Sequence, residues 1–147
     1  MSRPGGMLYS SSQEKKLARG VELMREGNTS AAIDLLAALA AEPGAPGITD
    51  EALFRLSLLH IGAGLQRSGI LKAEHDLQRL KKEYPSSPWA IVAGDLTEFL
   101  ASADSARQSN KRLKELNLSL TRDNREVRQS IDKLKKMDLE LGKGSKR

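Results

Sequence analysis

Residues 17–43 read LARGVELMREGNTSAAIDLLAALAAEP, and this stretch indicates two short helices joined by a tight turn. Apolar residues recur every three or four positions on both sides of Gly27-Asn28, a pair typical of a helix C-terminus. The second helix is expected to be capped by Thr29 or Ser30, because a hydroxyl can accept an unpaired N–H of the first turn. In the first helix Leu17, Val21 and Met24 share a face, and in the second the predicted buried stripe is Ile33, Leu36, Leu39 and Ala40.

The same helix-turn-helix pattern recurs further along the chain. Shifting the sequence by 41 residues superposes Ala32 on Ala73, which indicates a slightly irregular repeat. The third and fourth helices are expected to be separated by a turn at Ser68-Gly69, and a fifth is expected to be capped by Ser87 with Pro88 in its first turn. The residues predicted to be buried are Leu53, Leu56 and Leu59 in the third helix and Leu71, Ala73, Leu77 and Leu80 in the fourth.

The composition supports an all-α chain. Aromatic residues make up only 3% of the 147 residues, hydrophobic residues 39% and charged residues 29%. Cores filled by Ala and Leu suit helical repeats and coiled coils, whereas a β-sandwich needs more β-branched and aromatic residues. There is no apolar run of the roughly 18 residues that a membrane span requires.

Residues 17–43 resemble a tetratricopeptide repeat, with Gly20 and Ala32 at its small positions and Pro43 near its closing proline. Residues 71–93, LKAEHDLQRLKKEYPSSPWAIVA, are similar to the repeats of bacterial envelope lipoproteins and assembly factors. The resemblance covers about residues 12–103 and departs from the family at its aromatic positions, which are Leu or absent here. It implies tetratricopeptide-like helical hairpins with a concave groove that binds a segment of a partner protein.

A long C-terminal helix with coiled-coil character is predicted next, because neither Gly nor Pro occurs between Gly94 and Gly142. Every seventh position from 92 to 141 is apolar, which is typical of heptad position a. The positions three residues later are mixed, since Asp123 and Ser130 interrupt Leu116 and Met137. We therefore expect this helix to pair with a helix of another protein, while a weak homodimer and a helix folded back on its own domain remain open. The predicted contact residues, called the seam below, are Leu113, Leu116, Leu120, Val127, Ile131, Leu134 and Met137.

The predicted organisation has four parts: a flexible lead-in at 1–10, a repeat domain at 11–103, a basic coiled-coil helix at 104–141 and a frayed tail at 142–147. A capping box at Ser11–Glu14 marks the expected start of the first helix. The charge is uneven, because residues from Arg107 onward carry a net +7 and residues 1–106 a net −2. A basic-zipper DNA binder would need a dense basic block before its seam, and residues 101–110 have none, which argues against nucleic-acid binding.

The C-terminal stretch 110–141, NKRLKELNLSLTRDNREVRQSIDKLKKMDLEL, resembles the tail of small bacterial outer-membrane lipoproteins of the QseG type, which accompany sensor histidine kinases. The resemblance implies a place on the periplasmic side of the outer membrane, held by a lipid anchor that is absent from this chain. It also implies a role in modulating a two-component sensor kinase. Without that resemblance, cytoplasm is the expected compartment.

No catalytic or cofactor chemistry is predicted. Cysteine is absent, so thiolate metal sites and cysteine nucleophiles are excluded. His60 and His75 lie on different predicted helices without companions at ligand spacing, and each is expected to be a packed or surface histidine. Trp89 is expected to pack the junction between the fourth and fifth helices. The sequence thus predicts a non-enzymatic adaptor without a small-molecule substrate or metal; the alternative is a homo-oligomeric structural coiled coil.

Overall fold

The structure, a computed structural model, describes residues 5–62 and 64–144. These ranges form α1 (Gly5–Arg25), α2 (Thr29–Ala41), α3 (Thr49–Gly62), α4 (Arg67–Glu83) and α5 (Pro88–Gly144), and they contain no strand. The prediction of an all-α chain with one long C-terminal helix is confirmed. The chain divides into two compact units, residues 1–103 and residues 104–147, and α5 contributes to both.

Both outer helix ends lie beyond the positions expected from sequence. Helix α1 begins at Gly5 and therefore includes the capping box at Ser11–Glu14 as well as part of the expected lead-in. Residues 7–12 contain neither Gly nor Pro, so nothing in their backbone chemistry stops the helix from starting upstream. Helix α5 continues to Gly144, because a terminal glycine only weakens a helix by about 1 kcal/mol. Residues 1–4 and 145–147 lie outside the described residues.

The turns show which small polar residues act as caps. Asn28 caps α2 in place of Thr29 or Ser30: its side chain accepts a hydrogen bond from the N–H of Ala31 at 3.3 Å. Asparagine supplies the same acceptor as a hydroxyl at this position. Ser87 caps α5 as predicted, since its Oγ accepts from the N–H of Trp89 at 3.2 Å and Pro88 is the first helical residue.

The turn between α3 and α4 differs from the prediction. Gly64, with φ of +99°, and Leu65, with φ of +50°, reverse the chain direction before α4 begins at Arg67. Gly69 instead lies inside α4, where a Cβ atom would come 2.3 Å from the backbone oxygen of His60. Glycine is therefore needed there because α3 and α4 approach each other closely. In the sequence, a glycine needed for close helix packing looks the same as a glycine needed for a turn.

The core of the first unit consists of two clusters of buried apolar side chains. One joins α1, α2 and α3, and in it Gly20 lets Leu36 approach so closely that a Cβ atom would lie 2.6 Å from Leu36 Cδ2. The other joins α3, α4 and the first turns of α5. Helices α1, α2, α3 and α4 pack in sequence, each against its neighbour in the chain, an arrangement that is compatible with a helical repeat. The largest apolar side chains that are fully buried are Leu36, Leu39, Leu53, Leu77, Leu80 and Leu100.

The packing corrects the expected face of α4 and shows which face of α5 is buried. In α4, Leu71 is 55% exposed and its neighbour Ile70 is buried, because one residue rotates a side chain by about 100° around the helix. In α5, the buried side chains are Ala90, Ala93 and Leu100. The heptad residues of this part of α5, Val92 and Phe99, are exposed. These two residues therefore lie outside the face of α5 that packs against α3 and α4.

Polar contacts join the helix ends around the loop between α2 and α3. Lys16 forms an ion pair with Glu42, and Arg79 Nη1 donates to the carbonyl of Ala40 at 2.8 Å, which satisfies an otherwise unpaired carbonyl near the end of α2. At the start of α3, Asp50 Oδ2 accepts a hydrogen bond from Ser87 Oγ at 2.6 Å.

Trp89 packs where α3 meets the start of α5, whereas the sequence predicts packing at the junction of the fourth and fifth helices. Its ring lies 5.1 Å from that of Phe54, and the guanidinium of Arg55 lies 5.6 Å from its centroid. The aromatic contact buries much of the indole, while the arginine covers it from one side. Trp89 therefore serves the core of the first unit.

Candidate protein-interaction surfaces

The second unit is a helix whose side chains are all in contact with solvent. Every side chain from residue 105 to residue 144 is exposed. The seven seam residues are among them, with exposed fractions between 44% for Ile131 and 64% for Leu134. Apolar side chains repeated along a single helix form a contiguous strip, and such strips mark interaction sites on soluble proteins.

Helical geometry places most of the seam on one face. At about 100° per residue, Leu113, Leu116, Leu120, Val127, Ile131 and Leu134 fall within an arc of roughly 60°. Met137 lies about 60° beyond that arc, so it extends the strip at its end. Leu118 and Leu139 are 71% and 66% exposed and lie on other faces of the helix. The seam is thus a narrow apolar strip, and these two leucines provide comparison positions outside it.

A row of asparagines borders the seam. Asn110, Asn117 and Asn124 are spaced seven residues apart and precede Leu113, Leu120 and Val127 by three residues. Their side chains are exposed and form no hydrogen bond within the described part of the chain. The signal that could have identified them was present in the sequence, because counting sevens from Asn110 gives Asn, Asn, Asn and then Ile131.

The first unit contains a groove between α1, the loop before α3, and α3 itself. Its volume is about 730 Å³, its apolar lining includes Leu17, Val21 and Ile48, and its rim carries both acidic and basic side chains. Arg55 is fixed on this rim by Glu51, with Nε and Oε1 at 2.7 Å, as well as by its contact with Trp89. An apolar floor with charged edges is a surface suited to a peptide segment, not to an enclosed small molecule.

The two histidines meet at one carboxylate. His60 Nδ1 lies 2.9 Å from Asp76 Oδ2, and His75 Nδ1 lies 3.7 Å from Asp76 Oδ1. The side chain of His60 is packed, with 14% of it exposed, and that of His75 is 78% exposed. Their proximity was missed because it depends on the antiparallel pairing of α3 with α4. Within residues 5–62 and 64–144, no group of His, Cys, Asp and Glu has the arrangement of a metal site.

Asp76 makes the stability of the first unit depend on pH. Burial raises the pKa of its carboxyl above the ordinary 3.8, and the nearby His60 and His75 lower it in part. The folded state therefore binds a proton at Asp76 more tightly than the unfolded state does. This contribution to stability is fully present below pH 3.8 and is lost as the pH rises through the raised pKa.

We expect the free energy of unfolding of the wild-type chain, relative to Asp76→Asn, to fall as the pH rises from 3.8, because the variant cannot ionise. Urea unfolding between about pH 3 and pH 5 measures this difference below the range in which histidine ordinarily titrates. Asp34→Asn, at an exposed carboxylate on α2, is the matched control. A wild-type-to-variant difference that stays constant over this range would contradict the prediction.

No protein-family model, no curated protein and no solved structure matches this chain. Among the described residues, no helix is both long enough and apolar enough to cross a membrane.

Proposed function

We propose that this protein is a non-enzymatic adaptor that acts by pairing the seam of its second unit with another helix. The observation that carries the proposal is the continuous strip of exposed apolar side chains on residues 113–137. Burying one leucine of such a strip contributes about 1.5–3 kcal/mol, so several in register supply the energy of a specific helix pair. The strip is too narrow and too regular to be explained by scattered surface leucines.

The state of this helix also supports pairing. Most helices in proteins obtain their stability from packing of an apolar face and not from intrinsic propensity. No side chain between residues 105 and 144 is buried, so this energy is missing in the single chain. A second helix laid along the seam would supply it.

The groove of the first unit gives the adaptor a second surface. Its apolar floor around Leu17, Val21 and Ile48 is suited to an extended or helical segment, and its charged rim would select the flanking residues of that segment. The two units would then bind different kinds of partner segment, because the first unit offers a concave groove and the second a strip along a helix.

The biological setting that we propose rests on resemblance alone. The likeness of residues 110–141 to QseG-type lipoproteins supports an adaptor in the bacterial envelope that modulates a two-component sensor kinase. The pairing of the seam does not depend on that setting, because it follows from the exposed side chains.

Site-specific photo-crosslinking in the cell that naturally produces the chain tests the proposal. A benzophenone amino acid at Leu120 lies in the seam, whereas one at Leu118 lies about 160° away around the same helix. We expect a discrete covalent adduct from position 120 and none from position 118. Mass spectrometry of the adduct then identifies its partner. Equal adducts from both positions, or no adduct from either, would overturn the proposal.

A further inference from the structure

We infer that the helix bound by the seam is a second copy of this chain, aligned parallel and in register over residues 110–134. The inference rests on the proposed function and names its partner. It starts from the asparagine row beside the seam, whose members have no hydrogen-bond partner among the described residues. In an in-register pair, each asparagine meets the same asparagine of the other copy.

The asparagine row changes the heptad assignment. Parallel two-stranded coiled coils favour leucine at position d, and an asparagine at a single position a specifies register and oligomeric state at a cost in stability. Placing Asn110, Asn117 and Asn124 at a puts Leu113 and Leu120 at d. The d row is then Leu113, Leu120, Val127 and Leu134, and the a row is Asn110, Asn117, Asn124 and Ile131. Leu113, Leu120, Val127 and Leu134, which the heptad count alone assigns to position a, are therefore reassigned to position d.

The chemistry of the asparagine layers favours an identical partner. Each side-chain amide has two N–H donors and one carbonyl acceptor, so two asparagines can bond to each other across the interface. An apolar side chain opposite would leave both groups buried without a partner, at a cost of 1 kcal/mol or more per group (roughly 1–3). Three consecutive asparagine layers therefore select a partner with three asparagines at the same spacing. This chain is such a partner.

The charges beside the core agree with a parallel pair. In this register the residues at position g include Asp123, and those at position e are Lys114, Thr121, Arg128 and Lys135. Position g of one helix meets position e five residues later on the other, so Asp123 faces Arg128 of the second copy. The other g positions, Ser109, Leu116 and Ser130, are uncharged. Every charged contact between g and e over residues 109–135 is thus attractive.

An antiparallel pair would be unfavourable both in its charged contacts and in its asparagine layers. It would bring the two e rows together and oppose the basic side chains of Lys114, Arg128 and Lys135. It would also place asparagines opposite leucines or valine of the d row. A parallel pair shifted by one heptad would set Asn124 against Ile131 and leave its amide unpaired.

The pairing ends near Leu134. The next a position is Asp138, where two carboxylates would meet in the core, and like charges in that position are strongly unfavourable.

Disulfide trapping tests the inference on the full chain, which contains no cysteine of its own. Helix axes about 8–10 Å apart, with Cα atoms about 2.3 Å from each axis, bring facing Cα atoms to roughly 3.4–5.4 Å, which overlaps the range of about 4.4–6.8 Å that a disulfide spans. We expect Asn117→Cys to form a covalent dimer under mild oxidation, in the micromolar range. Gln129→Cys, on the outer face at position f, should remain reduced or cross-link at least about tenfold more slowly.

The outcomes distinguish a parallel pair, an antiparallel pair and a monomer. A disulfide dimer from Asn117→Cys alone, together with a dimeric wild-type chain in sedimentation equilibrium, supports the inference. A mixture of Asn110→Cys and Leu134→Cys chains that cross-links to each other would show an antiparallel pair and overturn it. A monomeric wild-type chain would overturn it too, yet seam adducts containing a different protein in the cellular experiment would leave the proposed function intact.

Discussion

A full-length chain carrying Leu120→Glu and Val127→Glu is expected to self-associate at least about 100-fold more weakly than the wild type. Both positions lie in the d row, so a pair of chains loses four buried apolar side chains. Each contributes about 1.5–3 kcal/mol, and the new carboxylates would face each other across the core. Sedimentation velocity over a range of concentrations measures the change directly.

The chain provides a close control for this pair of substitutions. Leu118→Glu and Leu139→Glu replace two exposed leucines of the same helix, with the same change of net charge, on faces outside the seam. We expect this control to associate as the wild type does. If both double variants were weakened equally, charge and not the seam would govern association, and the proposed role of Leu120 and Val127 would be wrong.

Leu77→Ala is expected to lower the free energy of unfolding of the first unit by about 2–5 kcal/mol. Leu77 is fully buried in α4 and belongs to the cluster shared by α3, α4 and α5. Its truncation would remove buried methyl groups and leave a cavity between those helices. Because small domains are only about 5–15 kcal/mol stable, this loss is a large share of the total.

Leu71→Ala serves as the control because it makes the same chemical change on the same helix. Leu71 is 55% exposed, so we expect its replacement to change stability by no more than about 0.5 kcal/mol. Urea unfolding followed by circular dichroism measures both variants. Equal losses for the two would contradict the orientation of α4 described above.

Much of the fold could be predicted because the helices of the first unit follow simple local rules. Apolar spacing in residues 17–43 and the cap at Ser87 were sufficient to identify helices and their connections. Leu71 was misplaced because it lies beside the true core position Ile70, and one residue changes the face of a helix. Gly69 was misplaced because the close approach of His60 is a tertiary contact.

The seam could be predicted from sequence because it is a property of one helix, and its exposure required the structure. The heptad count included Val92 and Phe99, and nothing in that count distinguishes a packed face from an exposed one. The sequence also contained the asparagine row at Asn110, Asn117 and Asn124. It gained meaning only once those side chains were found exposed and unpaired in the described chain.

Amide hydrogen exchange of residues 110–134 in the purified full-length chain tests most directly whether the seam is a pairing surface. A paired helix opens only when the pair dissociates or unfolds locally, whereas an unsupported helix frays continuously. We predict exchange in this segment at least about 100-fold slower in the wild type than in the Leu120→Glu, Val127→Glu variant, which corresponds to an opening free energy about 2.7 kcal/mol higher. Equal rates in the two chains would contradict pairing through the seam in the purified protein.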